Sequence, residues 1–207
     1  MIILDILETE FKEVKIIRCK KIDDNRGYFT EAIRFTDIID DERCNFLNPK
    51  EFNQINESFS YANVFRGFHF QFNPFMDKLV RCVSGKLIDF ALDIRKNSPN
   101  FGKLISLELS FNYNYFDWIW IPSGFAHGFY TLEESILEYF CTGFWNGLNE
   151  YTINYNDNDI DISLCKFDYK KNILENNNLI ISHKDLNGIK LNTWKLMQES
   201  NNFLYNE

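Results

Sequence analysis

The stretch NVFRGFHFQ, Asn63–Gln71, decides the fold. Val64 and three phenylalanines make it too apolar for a surface loop, while Arg66, His69 and Gln71 make it too polar for plain core. It reads as a strand. Side chains alternate along a strand, so strict alternation places Arg66 and His69 on opposite faces. Gly67 stands between them and marks a candidate bulge or close backbone approach.

Similar short apolar and aromatic runs recur on both sides of this stretch: VKIIRCKKI, FNQINESFSY, KLVRCVSG, KLIDFALDI, KLISLELSF, DWIWIP, HGFYTL and ILEYFCTGFW. Turn signals such as DDNRG, NSPNFG and FNYN separate them, the pattern of an antiparallel sandwich or barrel. Of the 207 residues 45% are hydrophobic, with 21 Phe and 10 Tyr, so a filled β-rich core follows rather than disorder. The length suits one domain over 1–207, with 150–207 as an extension packed on the barrel. Helix signals are weaker. TDIIDDERC reads as a short helix capped by Thr36, and NTWKLMQESNNFLYNE has a helical look. Between Asn154 and Asn178 the Asn- and Asp-rich chain reads as an irregular surface segment.

A net charge of −8 argues against a nucleic-acid or anionic-membrane binder, and an anionic ligand would need locally gathered Arg and Lys. The five cysteines form no CxxC pair and read as free thiols in a reducing compartment. The acidic first residues lack a basic signal-peptide region, and no apolar run approaches a membrane span. A cytoplasmic protein is expected.

Two strands carry polar faces. FNQINESFS aligns Gln54, Asn56, Ser58 and Ser60, and KLIDFALDI aligns Asp89 and Asp93 with Ala91. Such faces either meet solvent or line the lumen of a barrel wet enough for a small ligand. In IPSGFAHGF, Pro122 and Gly124 suit a tight turn that delivers His127 into a lumen. The P-x-G-x-x-H spacing resembles the second motif of cupin barrels, whose histidine often binds metal. There are only three histidines here, with no H-x-H, so no metal site is expected. Histidine without metal is suited to moving protons near neutral pH.

The segments DDNRGYFTEA, NQINESFSYANVFRGFHFQ, KLVRCVSGKLIDFALDIRKNSPNFGK, WIPSGFAHGF and YFCTGFW run in order over roughly Asp24 to Trp145. They resemble the bacterial nucleotide-sugar epimerases typified by dTDP-4-dehydrorhamnose 3,5-epimerase. The resemblance implies an all-β, cupin-type (jelly-roll) barrel with short flanking helices. It also implies proton removal beside the C4 ketone of a nucleotide-linked 4-keto-6-deoxy sugar and return of the proton to the opposite face, with no cofactor. By motif, His69 matches the family's base, Asp185 in ISHKD the carboxylate that orients it, Lys78 the cation near the ketone oxygen and Tyr139 the acid. His127 and Asp89 match supporting pocket groups. Arg66 is a planar fork suited to phosphate oxygens. Arg26, with Phe29 and Glu31, matches contacts supplied by the partner subunit of a homodimer, whose N-terminal strands complete the neighbour's pocket. Gln54 and Asn56 match contacts to the base or pyrophosphate, joined by Ser182 and Lys184.

Phe144 and Trp145 stand where the family often has two tyrosines. They keep the ability to stack on a base and change its polar handle. The resemblance as a whole implies inversion at C3 and C5 of a dTDP-linked hexose, for surface-polysaccharide synthesis. The alternatives are inversion at C3 alone, a GDP- or CDP-linked hexose or heptose, or a cupin that binds a sugar nucleotide without turnover.

Overall fold

The computed structural model describes residues 1–48 and 52–205. Two antiparallel sheets stack face to face in a jelly roll. The first contains β1 (Ile3–Glu8), β2 (Lys15–Lys20), β5 (Gln54–Ser60), β7 (Lys78–Ser84), β10 (Tyr115–Ile121) and β12 (Ser135–Cys141), in the order β1-β2-β10-β7-β12-β5. The second runs β13-β6-β11-β8-β9, from β6 (Val64–Gln71), β8 (Lys86–Asp93), β9 (Leu104–Ser110), β11 (Phe125–Thr131) and β13 (Glu150–Thr152). A two-residue strand, β14 (Ile180–Ile181), joins β6 in parallel. β3 (Ile22–Asp24) and β4 (Gly27–Phe29) form a separate hairpin.

Alternation assigns the faces. On β8, Leu87 and Ala91 pack between the sheets with Val80, Ile119 and Phe129. Ile88, Phe90 and Leu92 point the other way, into a second core beneath Tyr169, Ile173, Leu191 and Trp194 of the C-terminal segment. A third core covers the outer face of the first sheet, where Trp118 and Leu79 meet Ile38 and Cys44. Polar tips of the buried aromatics are satisfied: Trp194 Nε1 donates to the Ile94 carbonyl at 3.0 Å and Tyr169 Oη to the Tyr155 carbonyl at 2.9 Å.

Two of the weaker readings need correction, and a third is borne out in two pieces. Helix α1 covers Phe35–Asp40 with Arg34 at its N-cap and no side-chain cap, so Thr36 lies inside the helix. The C-terminal reading resolves into α3 (Leu191–Leu196) and a 3₁₀ turn Gln198–Phe203; its last two residues, Asn206 and Glu207, lie outside the described residues. The Asn-rich segment is anchored rather than superficial, because a π-helical turn at Lys170–Leu174 buries Ile173 beside the fully covered Tyr169.

The conflict inside Asn63–Gln71 is resolved by a bulge. His127 of β11 pairs with His69 and Phe129 with Arg66, so three steps on β6 match two on β11. The extra residue flips the parity, and Arg66 and His69 share the face toward the lumen, while Phe65 and Phe68 share the outer core. Gly67 has φ +124°, and the Gly67–Phe68 peptide is cis. A Cβ on Gly67 would lie 2.5 Å from Gly128 Cα. Two glycines thus let the strands approach as no other residue pair could.

Candidate active site

The bulge and the polar strand faces converge on a cavity of about 110 Å³ between the sheets, lined by Ser58, Arg66, His69, Lys78, His127 and Tyr139 with Gly128 and Phe129. A larger cavity of about 520 Å³ shares Arg66 and His69 and continues past Ser60, Ile180 and Lys184. On β5 the inward faces belong to Gln54, Asn56, Ser58 and Ser60, while Ile55 and Phe59 are exposed. The lumen reading therefore holds over the solvent reading for this strand.

His69 is held from behind. β14 pairs Ile181 with Phe65, and the chain then turns into α2 (His183–Leu186), whose N-cap Ser182 accepts from the Asp185 backbone N–H at 3.1 Å. This delivers Asp185 to the bulge. His69 Nε2 lies 2.6 Å from Asp185 Oδ1, and the Gly67 N–H donates to Oδ2 at 3.3 Å. Burial alone would raise the Asp185 carboxyl; the bond and charge of His69, helped by Gly67 and Ser182, hold it below its ordinary value. An ionised carboxylate only accepts, so Nε2 carries the proton and Nδ1 is left as the basic nitrogen.

Lys78 and Tyr139 come from the facing sheet. Tyr139 pairs with Val80 and Cys141 with Lys78, so the inward side chains of β7 and β12 stand side by side. Burial lowers the Lys78 ammonium below its ordinary pKa, with Cys141, Glu150 and Asp89 opposing. Among the described residues its Nζ forms no ion pair or hydrogen bond. Burial raises the Tyr139 phenol, with Arg66 pulling it back, so the hydroxyl keeps its proton at neutral pH. His127 Nε2 donates to both Asp89 oxygens, at 3.1 and 2.9 Å. Burial outweighs Asp89 and lowers the His127 pKa, keeping the ring neutral. The Arg66 fork is pinned to β5, Nε donating to Ser60 Oγ at 3.0 Å and Nη2 to the Phe59 carbonyl at 3.2 Å. Arg66 and Lys78 thus bring positive charge to the site of a protein of net charge −8, beside Lys184, which is paired with Glu150.

Residues 8–193 match the family model for dTDP-4-dehydrorhamnose 3,5-epimerase. The chain belongs to this epimerase family. The Shigella flexneri dTDP-4-dehydrorhamnose 3,5-epimerase is 36% identical over 189 residues, 90% of this chain and 96% of that protein. The Methanothermobacter thermautotrophicus enzyme of the same name is 37% identical, over 94% of this chain and 95% of its own. The dTDP-6-deoxy-D-glucose-3,5-epimerase of Legionella pneumophila, solved with dTDP-4-keto-L-rhamnose, superposes with a TM-score of 0.81 at 31% identity, covering 98% of each chain.

Not every residue suggested by resemblance to the epimerases reaches the site within one chain. Arg26 and Phe29 sit on the β3–β4 hairpin and line neither cavity that holds His69. Arg26 pairs with Asp24, and Phe29 is 66% exposed. Glu31 pairs with the Met1 amino group and Arg34. Gln54 Nε2 donates to Asn56 Oδ1 at 2.7 Å, and the Trp145 N–H donates to Gln54 Oε1 at 3.2 Å, tying the exposed Phe144–Trp145 pair to β5. Sequence reasoning missed Glu150, which accepts from Lys184 Nζ at 2.6 Å and from the Trp145 indole at 3.2 Å. Its strand has three residues, too short to show a period. Among the described residues no group of His, Cys, Asp or Glu is arranged to hold a metal, and no helix is long and apolar enough to cross a membrane.

Proposed function

We propose that this protein inverts C3 and C5 of dTDP-4-dehydro-6-deoxyglucose to give dTDP-4-dehydrorhamnose, a step toward surface-polysaccharide sugars. The observation that carries this reading is the placement of His69 on one sheet and Tyr139 and Lys78 on the other, around one cavity. A hexose between the sheets presents one face to the imidazole and the other to the phenol. His69 Nδ1 takes the proton from the carbon beside the ketone. The C–H electron pair forms the enolate, whose oxygen the Lys78 ammonium stabilises. The Tyr139 hydroxyl then gives its proton to the opposite face of that carbon. Asp185 supports the imidazolium formed, and Arg66 and Lys184 meet the diphosphate. Incubation with dTDP-4-dehydro-6-deoxyglucose, followed by NMR of the product, is expected to show inversion at both carbons. Inversion at C3 alone would assign the narrower reaction, and unchanged substrate would reject the epimerase reading.

The lowered Lys78 pKa gives a sign for the pH dependence. The cation is required and is lost as pH rises through that pKa. The alkaline limb of kcat/KM therefore falls below the ordinary lysine value of 10.5. Lys78→Arg, which stays charged, should remove the limb while lowering the rate. A limb unmoved by this change would assign it to another group.

We infer a homodimer in which the β3–β4 hairpin completes the neighbour's pocket. All six strand residues of the hairpin are exposed, Ile22, Tyr28 and Phe29 among them, and a lone two-stranded hairpin is marginal in water. Arg26→Ala and His69→Asn subunits, each nearly inactive alone, should regain about a quarter of wild-type activity when mixed. Half the dimers are then mixed, with one intact pocket each. No recovery would show that Arg26 serves its own subunit.

A further inference from the structure

Among the described residues, two buried side-chain polar atoms have no hydrogen-bond partner, Ser58 Oγ and Thr152 Oγ1. Thr152 lines neither cavity of the site, whereas Ser58 lines the smaller one together with His69, Lys78 and Tyr139. A hydroxyl sequestered without a partner is destabilising. Ser58 sits there because β5 turns its polar face inward, opposite Leu137 and two residues from the Asn56–Tyr139 pair. Neighbouring Ser60 is already used, since it holds Arg66. Ser58 is the hydroxyl of this face left for a ligand.

Which part of the ligand it meets follows from the shape of the site. A water occupies about 30 Å³ of liquid, so the smaller cavity, about 110 Å³, has the volume of fewer than four waters: it admits one edge of a sugar ring and no diphosphate. Arg66 and His69 stand at the threshold common to both cavities, Ser60 and Lys184 line only the larger, and Ser58 lines only the smaller. We propose that Ser58 is a substrate-binding residue whose hydroxyl hydrogen-bonds an oxygen of the hexose, so that it reads the sugar and not the nucleotide. This rests on the epimerase reading for the identity of the ligand.

The test compares Ser58→Ala with wild type by calorimetry, using dTDP and dTDP-glucose. The latter has no ketone and cannot react, so binding is measured independently of turnover. The variant is expected to bind dTDP-glucose roughly fivefold to tenfold more weakly, the worth of one hydrogen bond, and dTDP within about twofold of wild type. Its melting temperature is expected to equal or exceed that of wild type, because the orphaned hydroxyl is gone. Unchanged affinity for dTDP-glucose, or equal weakening of both ligands, would overturn the proposal. Failure of the epimerase reading appears separately, as a wild type that binds both ligands yet leaves the keto sugar unchanged. A wild type that binds neither overturns both.

Discussion

His69→Asn is expected to lower turnover by about a thousandfold or more, within the range for loss of a general base, while leaving the fold intact. Asparagine can still donate to Asp185, which sits 2.6 Å from the imidazole, so the carboxylate keeps a partner and the bulge its anchor. What disappears is the basic nitrogen that Asp185 holds in place on that side of the cavity. Proton removal should stop at whichever carbon faces β6. Steady-state kinetics together with a melting curve check this, and activity within tenfold of wild type would remove His69 from the role of base. Tyr139→Phe should differ in kind, because the base survives and carbon acidity can still be expressed as exchange without full inversion.

Gly67→Ala is expected to cost about 2–6 kcal/mol of stability, the combined range for overpacking and a disfavoured backbone, and to abolish most activity. The added methyl would sit 2.5 Å from Gly128 Cα and 2.7 Å from the His127 carbonyl oxygen. Both neighbours are backbone, so the strands must separate, and the residues displaced are those that carry His69 and His127. Gly27→Ala is the matched control. Gly27 has φ +130° with nothing within 4 Å of its missing Cβ, so it isolates the conformational cost, about 1–3 kcal/mol. Urea denaturation of the two variants separates the terms. Equal losses would mean that the close approach of β6 and β11 contributes nothing.

Much of this architecture is legible in the chain because alternation is a strong signal where both faces are committed. Alternation sorts the residues of β5 and β8 into two faces, while the choice between solvent and lumen waits for the cavity; at Gly67 it offers a bulge or a close backbone approach, and the pairing with β11 shows the bulge. What alternation cannot reach is assembled from short pieces. β14 has two residues and no period, yet its parallel pairing with β6 brings Asp185 behind His69. Glu150 is equally silent until its strand lies beside Gln71. Thr36 looked like a helix cap because capping residues are recognised by type, whereas the helix starts where Phe35 packs on Phe52 and Phe140. For Arg26, Phe29 and Glu31 the resemblance carries what a single chain does not display.

His69 and Tyr139 are expected to move protons on opposite faces of a sugar held between the sheets. Running the reaction with dTDP-4-dehydro-6-deoxyglucose in deuterated water, with the product read by mass spectrometry and NMR, measures this. Wild type is expected to add two deuterons, at C3 and C5, and His69→Asn none. Product formed without deuterium, or labelled equally by the His69→Asn variant, would contradict the account.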